Sequence, residues 1–255
     1  MAKLPLLPTL GKTLKNSLTE LYRSMGFTLI TSVIWFAAFT PIVFVVIAAV
    51  SYLPTVLNET KQLGNAVTLL FFASLLIGLL NGLLTGPVTT AIYALYQERK
   101  ESYPSVKSFF KGFIQYYWIS ARVHWAYSLV SGIFIFNILL LAVEKSMVFL
   151  LAGIFSIYAL FLLWLISFFL HPLIYYKHGF IAIFKKAFLL TLDNLGLVFC
   201  LSLLLALMFI LSFSLVFLIV LVYGALYIYF VDNGFELIYS KYEANDGTIA
   251  KEEAN

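Results

Sequence analysis

Long apolar runs alternate with short polar, mostly basic stretches along this chain. A helix needs about 20 apolar residues to cross a bilayer. Four runs meet that length: 27–53, which carries Pro41 and is predicted to kink there, then 66–96, 123–143 and 147–170. A fifth run, 195–231, is uncharged over 37 residues. As one helix it would extend about 55 Å, against a hydrocarbon core about 30 Å thick. It is therefore predicted to fold as a hairpin, with a fifth helix over 195–212, a turn at 212–214 and a sixth helix over 215–231. The pattern predicts an all-α integral membrane protein with six transmembrane helices in a single domain over 1–242.

Charge adds a topology. With six spans and both termini in the cytoplasm, fourteen Lys and Arg residues fall on the cytoplasmic side and only Lys61 and Lys145 on the other. That is the asymmetry of the positive-inside rule. A five-span arrangement would move Lys241 and Lys251 outside and weaken the asymmetry. Composition agrees: 62% of residues are apolar and 11% charged, against roughly 45–50% and about 25% in ordinary soluble domains. The first apolar run follows Arg23 and exceeds the roughly 7–15 residues of a secretory-signal core. It reads as an uncleaved span. The polar, acid-rich segment 243–255 reads as a disordered tail.

Three amphipathic segments, near 10–22, 104–117 and 178–192, share a short pattern: Leu14-Lys15-Asn16-Ser17-Leu18, Phe110-Lys111-Gly112-Phe113-Ile114 and Phe184-Lys185-Lys186-Ala187-Phe188. Each precedes a membrane hairpin, so the chain reads as three units of interfacial helix plus hairpin. Tyr93, Tyr96, Tyr116, Tyr117, Trp118, Tyr175 and Tyr176 fall where spans meet the interface, as an aromatic belt.

The second span carries the sharpest local signal. Ser74, Gly78, Gly82, Gly86 and Thr90 recur every fourth residue and leave a groove where another backbone can approach. Asn81, Thr85 and Thr89 form a polar stripe beside it. The groove can serve packing within the chain, contact with another chain, or a solute path. Pro87 is expected to interrupt the helix and free a carbonyl one turn earlier. Broken helices of this kind bind ions and solutes in transporters.

Arg122 lies near the interface at the start of the third span, where it can snorkel to lipid headgroups. Lys111, Lys185 and Lys186 are the basic residues of the interfacial segments. His124, His171 and His178 have no metal-ligand spacing, and Cys200 reads as a small buried hydrophobe. No span carries Asp or Glu well inside the membrane, and no glycine-rich phosphate loop, zinc-protease motif or nucleophile elbow occurs. No enzyme, metal, cofactor or nucleic-acid partner is expected. An intramembrane enzyme would have to be built from Ser74, His124 or Arg122. The lipid bilayer is the partner this pattern predicts.

The run Gly86-Pro87-Val88-Thr89-Thr90-Ala91-Ile92-Tyr93, a charged loop, and then Ser108-Phe109-Phe110-Lys111-Gly112-Phe113 resembles the core pattern of the YesL-like family of small bacterial membrane proteins. The segment 169–194 is similar to that family's second loop, and the resemblance covers about 20–240. It implies a bacterial cytoplasmic membrane and, by association, a role beside carbohydrate importers of the ATP-driven type, with permease or ATPase subunits as partners. It supplies no catalytic residues. The expectation is a non-catalytic accessory or assembly protein; the alternative is an autonomous transporter or channel for a neutral or lipid-like solute.

Overall fold

A computed structural model of the chain describes residues 5–60, 63–101, 105–141, 143 and 146–252, with the side chains of 58–60, 101, 216 and 243–252 outside the description. No strand occurs among the described residues. The helices are α1 (Leu6–Arg23), α2 (Met25–Thr60), α3 (Leu63–Leu80), α4 (Gly86–Glu101), α5 (Val106–Leu140), α6 (Met147–Ser167), α7 (Leu170–Tyr175), α8 (Phe180–Asp193), α9 (Leu195–Ser214), α10 (Val216–Leu218) and α11 (Gly224–Glu252). Two π-helical turns, Asn81–Thr85 and Ile219–Tyr223, join α3 to α4 and α10 to α11.

Five stretches are long and apolar enough to cross a membrane: Met25–Leu57, Leu63–Lys100, Val106–Leu140, Met147–Ser167 and Leu195–Ser214. The expected sixth span is the apolar run through α10, the second π turn and the start of α11. The chain is a multi-pass membrane protein. The last hairpin turns at Leu215, whose φ of −111° and ψ of 81° leave the helical region. That is just beyond the predicted 212–214, because Ser212 and Ser214 are both accommodated in the last turn of α9.

Two expectations change in detail, over 104–117 and at Pro87. The segment 104–117 is not a separate interfacial helix. It is the first third of α5, which starts at an N-cap where Ser105 Oγ accepts the N–H of Ser108 at 3.2 Å and then runs unbroken for 35 residues. Pro41 and Pro54 both lie inside a continuous α2. Pro87 sits at the second position of α4, where its missing N–H is tolerated, and the interruption is the π turn just ahead of it. The first and third amphipathic segments are separate helices, α1 and α8, set off from the spans by non-helical residues Ser24 and Asn194. The polar tail from 243, and Lys61 and Lys145, expected on the side opposite the other basic residues, lie outside the residues with described side chains; the backbone is helical to Glu252.

The chain forms two compact units, Ile34–Ser167 and Met1–Val33 with Phe168–Asn255. In the first, α5 is central and packs against α3, the π turn, α4 and α6. In the second, α11 packs against α1, α7 and α9. Its core is aromatic and aliphatic: Phe169, Tyr229, Phe230 and Phe235 are fully buried. The Cβ that Gly234 lacks would lie 2.7 Å from Phe168 Cζ, so only glycine lets that ring in.

Candidate functional site

The glycine row of the second span faces α5. A Cβ on Gly78 would lie 2.9 Å from Ser128 Cβ, one on Gly82 would strike the Trp125 indole, and one on Gly86 would strike the His124 ring. One turn further, Thr90 Oγ1 and Ser120 Oγ are 2.9 Å apart. Residues ascending in fours on one helix thus meet 128, 125, 124 and 120 descending on the other, as antiparallel neighbours do. Close approach through small residues is how membrane helices gain dispersion contact without a hydrophobic driving force. Ser74, the first member of the row, instead turns its hydroxyl onto Phe71 O at 2.7 Å.

The polar stripe divides between two neighbours. Asn81 donates its amide to Ser128 Oγ at 3.1 Å, across to α5. Thr85 donates to the carbonyl of Ala38 on α2 at 3.2 Å. Thr89 donates to Thr85 O at 2.6 Å and accepts from Trp35 Nε1 at 3.1 Å. In an apolar medium each such group needs a partner, and here each finds one. The π turn takes part directly: the N–H of Gly86 reaches Asn81 O, five residues back.

Histidine 124 is buried against this seam. Its Nδ1 lies 2.8 Å from Ser120 O, so Nδ1 carries the proton and donates it to the carbonyl. Ser74 is three turns, about 18 Å, from Gly86 along the second span, so it forms no dyad with His124. Arg122 is exposed and donates Nε–H to Trp118 O at 3.2 Å. Lys111, Lys185 and Lys186 are exposed, and Lys186 Nζ lies 3.2 Å from Nε2 of His178. Burial, then the Lys186 ammonium, lowers the His178 pKa from its ordinary value. Among the described residues no three His, Cys, Asp or Glu side chains are placed to hold a metal ion.

In the other unit, a second polar seam was not legible as a motif. Asn233 donates to Ser17 Oγ at 3.3 Å and to Tyr229 O at 2.8 Å, while Tyr229 Oη lies 3.0 Å from Thr28 Oγ1. Beside them Asp232 is 1% exposed. The apolar run stops at Val231, which hid the fact that the helix and its burial continue through this acid. Further along the same helix, Asn194 donates to Tyr242 Oη at 2.9 Å and accepts from Lys241 Nζ at 3.2 Å, and Tyr242 donates to Asp193 at 3.1 Å. These partners are nearly fifty residues apart, a separation no local pattern announces.

No protein-family profile, curated protein or solved structure matches the chain.

Proposed function

We propose that this is a non-catalytic accessory protein of the bacterial cytoplasmic membrane, docking onto the permease or ATPase subunits of a carbohydrate importer as the YesL-like resemblance implies. What favours a docking role is the exposed first third of α5. Val106 is 75% and Phe110 57% exposed. Rings of Phe110, Phe109, Phe113, Tyr117 and Trp118 follow one another along the helix at centroid spacings of 5.2–6.3 Å. Trp118 belongs to the aromatic belt, and Val106 lies three turns beyond it, about 18 Å. Strong tilt would draw this segment toward lipid, but it would also carry exposed Arg122 deep into hydrocarbon, at a steep cost. Ser108 Oγ donates to the Glu98 carboxylate at 2.8 Å, which sets that level in a polar medium.

The face is basic as well as aromatic. Lys107 and Lys111 are exposed on it, and α5 contains no Asp or Glu. An acidic segment with apolar anchors is the complementary partner, and aromatic residues beside cations are the usual anchors of protein interfaces. The glycine groove, filled from within by α5, is not the contact surface. Purification from native membranes in mild detergent, with mass spectrometry of everything retained, tests this. Importer subunits are expected in stoichiometric amounts, and Phe110→Glu with Lys111→Glu should lose them while the protein stays monodisperse. Retention of the same partners by that variant would rule out the face, and recovery of the chain alone would rule out the accessory role.

The alternative of an autonomous transporter for a neutral or lipid-like solute is favoured by the two π turns, since such interruptions cluster at functional sites. Solute or lipid flux in proteoliposomes made from the purified chain alone would establish it.

A further inference from the structure

Helix α1 is amphipathic in an unusual sense: its most deeply buried face is the hydroxyl one. Thr9, Thr13 and Ser17 are 6%, 0% and 0% exposed, each returning its hydroxyl to the carbonyl four residues back at 2.7–3.0 Å. This row faces the protein, since α1 packs on α9 and α11 and Ser17 Oγ accepts from Asn233. At about 100° per residue, Leu7, Leu10, Leu14, Leu18 and Leu21 fall on the adjoining third of the circumference together with Tyr22. Leu7 and Tyr22 are each 77% exposed and Leu18 is 47% exposed. The remaining third carries Lys12, Lys15 and Arg23, all exposed. The helix ends at Ser24, whose φ of −128° and ψ of 44° detach it from the span that follows. Unlike the first third of α5, it is therefore not a rigid extension of a transmembrane helix.

We infer that α1 is a site for anionic lipid: Leu7, Leu18 and Tyr22 enter the acyl–headgroup boundary, and Lys12, Lys15 and Arg23 bind the phosphates of acidic headgroups. Unlike the aromatic and basic start of α5, α1 meets its span through the non-helical Ser24, so it can lie in the plane of the interface. A bilayer surface supplies both chemistries in the right order, hydrocarbon beneath and phosphate above. Because the hydroxyl strip is bonded to α11 through Asn233, the helix reads the membrane surface from a fixed position. This inference does not depend on the importer reading.

Spin labels at positions 7, 18 and 15, introduced singly into full-length protein with Cys200→Ser, test it in liposomes of phosphatidylcholine with and without phosphatidylglycerol. Labels at 7 and 18 should be accessible to oxygen and shielded from a water-soluble relaxant; the label at 15 should show the reverse. Native mass spectrometry should show phosphatidylglycerol retained in preference to phosphatidylcholine. That preference should fall roughly a hundredfold in the Lys12→Gln, Lys15→Gln, Arg23→Gln variant, at about 1 kcal/mol per basic residue near an anionic surface. Water-accessible labels at 7 and 18 would overturn the inference. So would labels shielded from both relaxants, which would mean that another copy or protein covers the face. An unchanged lipid preference in the triple variant would refute the headgroup site.

Discussion

The two π turns interrupt their helices in the same register and by different means. In the unit 34–167, Asn81–Thr85 is followed by Gly86 and Pro87; in the other, Ile219–Tyr223 is followed by Gly224 and Ala225. Pro87 has no N–H to return to its own helix. Ala225 has one, and donates it to Ser32 Oγ on α2 at 3.0 Å. One break is thus fixed covalently by a residue in the helix, and the other is supported from outside by a neighbouring hydroxyl. A proline break persists whatever packs around it. A break held by a captured N–H depends on the helix that captures it.

The largest effect is expected where the first π turn meets its neighbour. Gly82 lies inside that turn with the Trp125 indole in its Cβ position, while the second turn, Ile219–Tyr223, contains no glycine. Gly82→Leu should therefore cost at least the roughly 1–3 kcal/mol typical of overpacking, because indole and backbone must both move. Loss of the monodisperse peak, or a strongly lowered melting temperature in detergent, is the expected result. Gly64→Leu, with nothing within 4 Å of its Cβ position, should melt like the parent. Equal melting of both variants would mean that the glycine row does not contact α5.

A smaller effect separates the two means of breaking a helix. Ser32→Ala leaves the buried Ala225 N–H without its acceptor, a loss of about 1–3 kcal/mol. Pro87→Ala adds an N–H at a first-turn position where none is required, and should change stability by less than about 1 kcal/mol. Thermal melts give the two losses, and hydrogen exchange at Ala225 should quicken only in Ser32→Ala. If Pro87→Ala is the more damaging substitution, the break before α4 is held by its surroundings after all.

The same contrast explains what the sequence made legible. Apolar run lengths located the five long apolar helices, and glycines four apart identified a face of close approach, because both are local and periodic. Pro87 marked the first break to within one turn. The second break left no mark: Gly224-Ala225 inside an apolar run is ordinary, and its support, Ser32, lies in another part of the chain. The seam of Ser17, Thr28, Tyr229 and Asn233 was hidden for the same reason, and Asp232 because the apolar run ends one residue before it. The pattern shared by the amphipathic segments did not reveal which would lie free. That depends on Ser24 and Asn194 leaving the helical region, whereas α5 continues from its Ser105 cap through Tyr117 without interruption.

The smallest expected effect concerns the third interrupted helix, where α6 gives way at Phe168 and Phe169 to α7, and the chain then turns through Lys177, at φ 56°, into α8. His178 sits in that corner, its pKa lowered from 6.5 first by burial and then by the Lys186 ammonium. A lowered imidazole pKa means that the folded chain favours the neutral ring while the unfolded chain still takes up a proton near 6.5. The corner is therefore fully stable above pH 6.5, loses stability as the pH falls past that value, and has lost its full share once the pH is below the folded pKa. Lys186→Gln removes the second cause and leaves the first, so the titration midpoint should rise part of the way toward 6.5, as followed by imidazole proton resonances. The lysine contacts His178 only if α8 folds back across this corner. An unmoved midpoint would mean that α8 leaves it in another direction, and that the third break does not share the fixed geometry of the first two.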